Sequence, residues 1–96
     1  MENKIQLKHP AGKKAVRIDK DKYDVMSNTI LNCLKNKELT HTELLKAVTD
    51  NFKMNKIKFI GSIGWYMESV KLDLEANRQI ERYKDKARLI FQLVSG

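Results

Sequence analysis

Apolar residues recur at three- and four-residue steps along the middle of the chain, the spacing that places side chains on one face of a helix. Three segments show this pattern: residues 20–36, 40–52 and 62–76. In the last of them the apolar stripe consists of Ile63, Met67, Val70 and Leu74. The pattern predicts three amphipathic helices around a shared core, with Val70 and Leu74 pointing into it.

Helix-start and helix-stop residues support these boundaries. Asp19 stands at the N-cap position of the first helix, where its carboxylate can accept a hydrogen bond from the backbone. The stretch "THTE" combines Thr40 and Glu43 as a capping box, and Ser62 is placed to cap the third helix. Asn77 follows that helix and can adopt the left-handed conformation that commonly closes one.

The two ends of the chain alternate apolar and polar residues, as half-buried strands do. Residues 1–18 predict two short strands joined by a turn at Pro10 and Gly12. Residues 79–94 predict a hairpin that turns at "KDK". The expected fold is therefore α+β and mainly helical, a single domain over residues 1–96 in the order strand, strand, three helices, strand, strand.

Composition narrows the class of protein. The chain of 96 residues has no apolar run of about 18 residues that could cross a membrane, and its first residues lack the apolar centre of a secretory signal. We therefore expect a cytoplasmic protein without a membrane partner. Cys33 is the single cysteine, so no internal disulfide forms, and we expect a small buried apolar side chain there.

Three helices followed by a hairpin form the winged-helix arrangement, in which the hairpin is the wing, and two sequence features resemble families with this fold. The stretch "LEANRQIER" resembles the join between recognition helix and wing in MarR-like regulators, with Arg78 in place of a glycine. We expect Asn77 to supply the unusual backbone angle instead. The resemblance implies a regulator-like fold.

A closer resemblance is to a family of short, uncharacterised bacterial proteins with a winged-helix-like fold. The shared positions are Lys22 and Tyr23 in the first helix, Gly64 and Trp65 at the start of the third, and "VKLDLEA" at residues 70–76. The resemblance covers nearly the whole chain. It implies the fold and leaves the activity open, because a shared fold does not determine a function.

The formal net charge of +7 favours polyanionic partners, and its distribution predicts how such a partner would be held. The outer face of the third helix is apolar and acidic, which opposes reading of DNA bases by that helix. The excess of lysine and arginine lies instead in the N-terminal segment, the loop before the third helix and the hairpin. We expect contact with duplex DNA, mainly through phosphates and with low specificity, by Lys56, Lys58, Arg82, Lys84, Lys86 and Arg88.

Trp65 and Leu72 favour an alternative function. They lie on one face of the third helix, on a strip that the three-helix core does not cover. The N-terminal hairpin could fold over this strip as a lid, which we favour, or a partner could bind it, either another protein or a second copy of the chain. In the second case the chain is a protein-interaction module.

No pattern of an enzyme is present, and we expect no catalytic residue, cofactor or metal. Cys33 and His41 lie on either side of a helix break with no third group to orient the imidazole. The G-x-x-G spacing of Gly61 and Gly64 is common at ordinary helix starts, and we expect Gly64 to be small because another element crosses there. Asp73 is expected to form a surface ion pair with Arg82.

Overall fold

Three helices and two small antiparallel sheets make up the fold, in a computed structural model that describes residues 3–94; the ends of the predicted domain, residues 1–2 and 95–96, lie outside the described residues. The elements are β1 (Lys4–Gln6), β2 (Arg17–Asp19), α1 (Lys20–Cys33), β3 (Leu39–Thr40), α2 (His41–Met54), α3 (Ile63–Ala76), β4 (Ile80–Asp85) and β5 (Arg88–Leu93). The α+β class is therefore confirmed. No helix in residues 3–94 is long and apolar enough to cross a membrane.

The first sheet comes from the N-terminal segment, and the second joins the C-terminal hairpin to β3 in the middle of the chain. β1 pairs with β2 in the N-terminal sheet, with Ile5 opposite Ile18. The second sheet has the order β3, β5, β4, so that Phe91 lies opposite both Leu39 and Arg82. The strand β3 was not predicted because two residues directly before a helix are too short to show a periodic pattern.

The helices bury their predicted apolar faces. Met67, Val70 and Leu74 of α3 are at most 1% exposed, which confirms that Val70 and Leu74 point into the core. Two residues of the N-terminal segment, Leu7 and Ile18, belong to the same core cluster. The N-terminal sheet is therefore an integral part of the fold, since burial of an aliphatic side chain stabilises a domain by about 1.5–3 kcal/mol.

The helix starts depend on side-chain caps at two of three positions. The Thr40 hydroxyl accepts from the Glu43 N–H at 3.2 Å, and the Glu43 carboxylate accepts from the Thr40 N–H at 2.9 Å, so the capping box is confirmed. Ser62 Oγ accepts from the Trp65 N–H at 3.2 Å. Asp19 occupies the N-cap position of α1 as predicted, but its side chain makes no capping hydrogen bond.

The helix ends show where left-handed residues occur. After α3, Arg78 has φ 60° and Asn77 has φ −87°, so the prediction for Asn77 was wrong by one position. The N–H of Gln79 donates to the carbonyl of Leu74, and that of Arg78 to the carbonyl of Glu75, which together form a Schellman motif. Arg78 directly follows the C-cap residue Asn77, which is the position where a Schellman motif requires a left-handed residue.

Gly64 does not mark a helix crossing. A methyl group at its Cα would meet only the Ser62 hydroxyl at 4.0 Å, so the prediction of a close neighbour was wrong. Gly61 is the constrained glycine instead, with φ 110° and an added Cβ 2.9 Å from the ring of Tyr66. The loop before α3 therefore turns at Gly61 because this position allows no other residue without displacement of Tyr66.

Candidate nucleic-acid and protein interfaces

One side of α3 faces the second sheet, and on this side an ion pair holds the Arg82 side chain of β4 against the helix. Its guanidinium forms a bidentate ion pair with Glu75, with a shortest distance of 2.8 Å, and lies 5.3 Å from the centre of the Phe91 ring. The expected pair of Asp73 with Arg82 was wrong. Asp73 and Glu75 are two residues apart and point about 200° apart around the helix, so only one of them can face the sheet.

The hairpin distributes its basic residues over both faces of the sheet. Because side chains alternate along a strand, Arg82 and Lys84 lie on the face that Phe91 shares, whereas Arg88, opposite Asp85 in the register, lies on the other face. Lys86 lies in the turn with φ 58°. The four basic residues predicted as one phosphate-binding group therefore do not form a single cluster on one face.

Five of the six predicted phosphate-binding residues are exposed and uncommitted to an ion pair. They are Lys56 and Lys58, in the loop before α3, and Lys84, Lys86 and Arg88 of the hairpin. Within residues 3–94 none of them has a carboxylate within ion-pair distance. Their charges are therefore available to an anionic ligand, unlike that of Arg82.

A buried lysine, Lys71, lies between α3 and the sheet and was missed by the sequence analysis. Its side chain is 2% exposed, with Nζ 3.0 Å from His41 Nδ1, 3.1 Å from a Glu68 oxygen and 4.0 Å from the centre of the Phe91 ring. Lys71 lies four residues after Met67 and three before Leu74, which places it at the edge of the apolar stripe. This position in the sequence could have indicated that Lys71 is buried.

Burial determines the ionisation of this cluster. It lowers the pKa of Lys71, and the Glu68 carboxylate opposes this effect. Burial also lowers the pKa of His41, followed by repulsion from the Lys71 ammonium. A neutral His41 can accept a hydrogen bond from Lys71, whereas a protonated one would place two cations 3.0 Å apart.

On the opposite side of α3, Asp73 binds the N-terminal segment. Its carboxylate accepts from the Lys8 N–H at 2.7 Å, the Tyr23 phenol at 2.7 Å and the Asn77 amide at 3.1 Å. A buried carboxylate is tolerated when several donors stabilise it. Asp73 therefore joins three parts of the chain and is not available to a ligand.

The outer strip of α3 is covered over part of its length. Leu72 lines a small cavity of about 180 Å³ together with Leu7 and Val16 of the N-terminal segment, so this segment lies over Leu72 as a lid would. Trp65 is 48% exposed. The structure thus places the two predicted interface residues in different environments, Leu72 under the N-terminal segment and Trp65 at the surface.

The family of the chain was identified by comparison with known proteins. Residues 4–90 match the family of unknown function DUF6958. The chain belongs to this family. No curated protein matches the chain, and no solved structure matches it. Membership agrees with the expected resemblance to an uncharacterised family, and it assigns no activity.

The remaining reactive side chains do not converge in this member of the family. In the part of the chain that the structure describes, no three His, Cys, Asp or Glu side chains are placed to hold a metal ion. Cys33 is half-buried against the core, and burial raises the pKa of its thiol, which keeps it in the less nucleophilic form. Within residues 3–94, the candidate binding surfaces are the lysine-bearing loops and exposed apolar residues such as Trp65.

Proposed function

We propose that this chain is a non-enzymatic winged-helix domain that binds nucleic acid through its phosphates with little sequence specificity. The order of the elements supports the fold: α1, the short β3, α2, α3 and then the β4–β5 hairpin, with β3 on the outer side of β5. In such a domain the hairpin is the wing, and the loop before α3 lies at the other end of that helix.

The observation that carries the proposal is the set of uncommitted lysines in these two elements. Lys56 and Lys58 precede α3, and Lys84 and Lys86 are in the hairpin, all exposed and without an ion-pair partner in the described chain. Lysines that already neutralise a carboxylate cannot release counterions from DNA, but these four can. Arg82 contributes less, because Glu75 already neutralises it.

Low specificity follows from the surroundings of α3. A side chain that reads bases must reach the major groove of DNA from the outer strip of α3. This strip carries Trp65 and Leu72, with Glu68 beside them. The N-terminal segment also lies over Leu72. Direct base contacts from α3 are therefore disfavoured by both charge and access.

A salt titration of duplex DNA binding tests the proposal. Phosphate contacts require that the logarithm of the affinity fall with the logarithm of salt concentration, by a slope of about 0.9 per contact. Lys84→Glu and Lys86→Glu should each weaken binding and reduce this slope by about 1. Lys35→Glu makes the same charge change on an exposed residue outside the proposed contact and should have a smaller effect. Absence of binding at low salt would refute the proposal.

A second candidate function is protein interaction or self-association through the outer strip of α3. The observation that favours it is Trp65, which stays 48% exposed after the N-terminal segment has covered Leu72. Sedimentation velocity at several concentrations tests self-association, which Trp65→Ala should abolish. A chain that remains monomeric at all concentrations, with no change on substitution, would exclude self-association through this strip.

A further inference from the structure

A second apolar feature lies between α1 and the loop before α3. It is a groove of about 180 Å³, lined by Asp21, Lys22, Val25, Ile57, Lys58, Phe59 and Ile60. Four of these seven residues are apolar. The groove is of a size that accepts one or two aliphatic side chains, and no described residue fills it.

Phe59, which lines the groove, is held in place by aromatic contacts. Phe59 stacks on the buried Phe52 with ring centres 5.3 Å apart and meets the edge of Tyr66 at 5.2 Å. The Tyr66 ring in turn contacts Trp65 at 4.9 Å. These four rings are in contact from the buried Phe52 to the exposed Trp65. The contacts fix Phe59 before a ligand binds, so binding orders few side chains and costs little conformational entropy.

Large apolar side chains in the loop and just before it are exposed. Ile60, which lines the groove, is 69% exposed, and Met54, the last residue of α2, is 81% exposed. Exposure of large aliphatic side chains beside a preformed groove is typical of a surface that a partner covers. In the chain alone these apolar side chains contact water, and their burial against a partner would lower the free energy.

Two of the three charged residues that line the groove are lysines. Lys22 lies 4.8 Å from the centre of the Tyr66 ring and donates to its hydroxyl at 3.3 Å, and Lys58 lines the groove on the loop side. Residues 52–61 contain three lysines and no acidic residue. Asp21 is the single acidic residue among those that line the groove.

We propose that this groove binds an acidic amphipathic segment of another protein, with an aliphatic side chain in the groove and carboxylates near the surrounding lysines. Such a segment matches both the apolar lining and the positive charge. A second copy of the chain fits less well, since two chains of net charge +7 repel each other. The inference rests on the protein-interaction function. It shares Lys58 with the proposed DNA contact, whereas Lys84 and Lys86 of the hairpin belong to the DNA contact alone.

The recess between α1 and the loop favours a peptide over an anionic membrane. A membrane contact requires projecting apolar residues and no recess, whereas Val25, Ile57 and Phe59 line an open recess that can take a side chain. Ile60 also projects, as a membrane contact would require. Vesicles therefore serve as the competing probe in the test.

The experiment uses the full chain and a fluorescein-labelled helical peptide of about 16 residues, with Leu at heptad positions and Glu elsewhere. Its anisotropy should rise on binding, and the emission of Trp65, the single tryptophan, should shift as the neighbouring groove is filled. A peptide with Gln in place of every Glu should bind about tenfold more weakly or worse. Equal binding of the two peptides would overturn the proposed charge recognition.

Substitutions locate the site. Ile60→Ser should weaken peptide binding about tenfold, and since Ile60 is mostly exposed this variant should fold normally by circular dichroism. Leu89→Ser removes an aliphatic side chain of the hairpin that is 46% exposed and serves as the control, which should bind like the wild type. If the two variants bind alike, the groove is not the site.

Two further probes separate this inference from the alternatives. Lys84→Glu with Lys86→Glu should lose DNA affinity and keep peptide affinity, so failure of one function can be distinguished from failure of the other. Vesicles of phosphatidylcholine with phosphatidylglycerol attract the chain through its net charge, so any co-sedimentation should be the same for the wild type and Ile60→Ser. Vesicle binding that is abolished by Ile60→Ser would overturn the proposal in favour of a membrane surface.

Discussion

The phenol of Tyr23 on α1 donates a hydrogen bond to the buried carboxylate of Asp73 on α3, at 2.7 Å. The other oxygen of the same carboxylate accepts from the backbone of Lys8. One acidic side chain thus connects two helices and the N-terminal segment. Burial, followed by this hydrogen bond, raises the pKa of Tyr23 well above its ordinary value.

Tyr23→Phe should lower the free energy of unfolding by about 1–3 kcal/mol, because it leaves a buried carboxylate with one donor fewer. Urea denaturation measures the change. Tyr83→Phe is the matched control: its phenol also donates to a carboxylate, that of Glu38 at 2.6 Å, but both groups are at the surface. This control should cost less than about 0.5 kcal/mol. Equal losses of unfolding free energy in the two variants would show that burial of Asp73 does not strengthen its hydrogen bond with Tyr23.

The buried ammonium of Lys71 leads to a second prediction. Lys71→Met should keep or increase the stability of the fold, because it removes a charge from a buried site at similar volume and leaves Glu68 partly in water. Lys71→Ala should lower stability by about 2 kcal/mol or more, since it leaves a cavity beside Phe91. A large loss in the Met variant would show that the ion pair itself stabilises the fold.

The titration of His41 leads to a third prediction, which concerns pH. Its pKa in the folded chain is lowered, so the unfolded chain takes up a proton first as the pH falls. The stability contribution of neutral His41 is therefore complete above its ordinary pKa of 6.5 and decreases as the pH falls below that value. In Lys71→Met the neighbouring cation is absent, so NMR should show a higher pKa for His41. An unchanged pKa would exclude repulsion from Lys71 as a cause.

Arg82 provides a fourth prediction, which separates a structural from a binding role. Arg82→Ala should lower the free energy of unfolding by about 1–3 kcal/mol, because the Glu75 carboxylate is 7% exposed and loses its bidentate partner. Lys84→Ala, on the same face of the hairpin, should leave stability unchanged and reduce the salt dependence of DNA binding. If Arg82→Ala changes DNA affinity more than Lys84→Ala does, the assignment of Arg82 to a mainly structural role is wrong.

The parts of the fold that could be predicted are those that depend on residues close together in the sequence. The stripe through Val70 and Leu74 identified α3, and the capping box of Thr40 and Glu43 identified the start of α2. The partners of Asp73 and Glu75 could not be predicted in this way. Spacing shows that these two residues face different sides of α3, but which side meets the sheet depends on how the helices pack.

The candidate sites were less accessible to prediction for a related reason. Lys84 and Arg82 look equivalent in the sequence, yet only Arg82 meets a carboxylate from another element. The groove behind Phe59 joins residues of α1 to a loop more than thirty positions later, so no local pattern records it. Long-range contacts of this kind determine which charges and apolar side chains remain free.

The N-terminal segment leads to the fifth prediction, because it contributes to the core and also lies over α3. Leu7 is 3% exposed, and Leu7→Ala should lower the free energy of unfolding by about 2–4 kcal/mol, whereas Val16→Ala, 39% exposed, should cost less than about 1 kcal/mol. Deletion of residues 1–18 removes Ile18 and the Lys8 donor of Asp73 as well, so its circular dichroism melt should lose cooperativity. A truncated chain that melts cooperatively at the wild-type temperature would show that this segment is an appendage, and the outer strip of α3 would then be free for a partner.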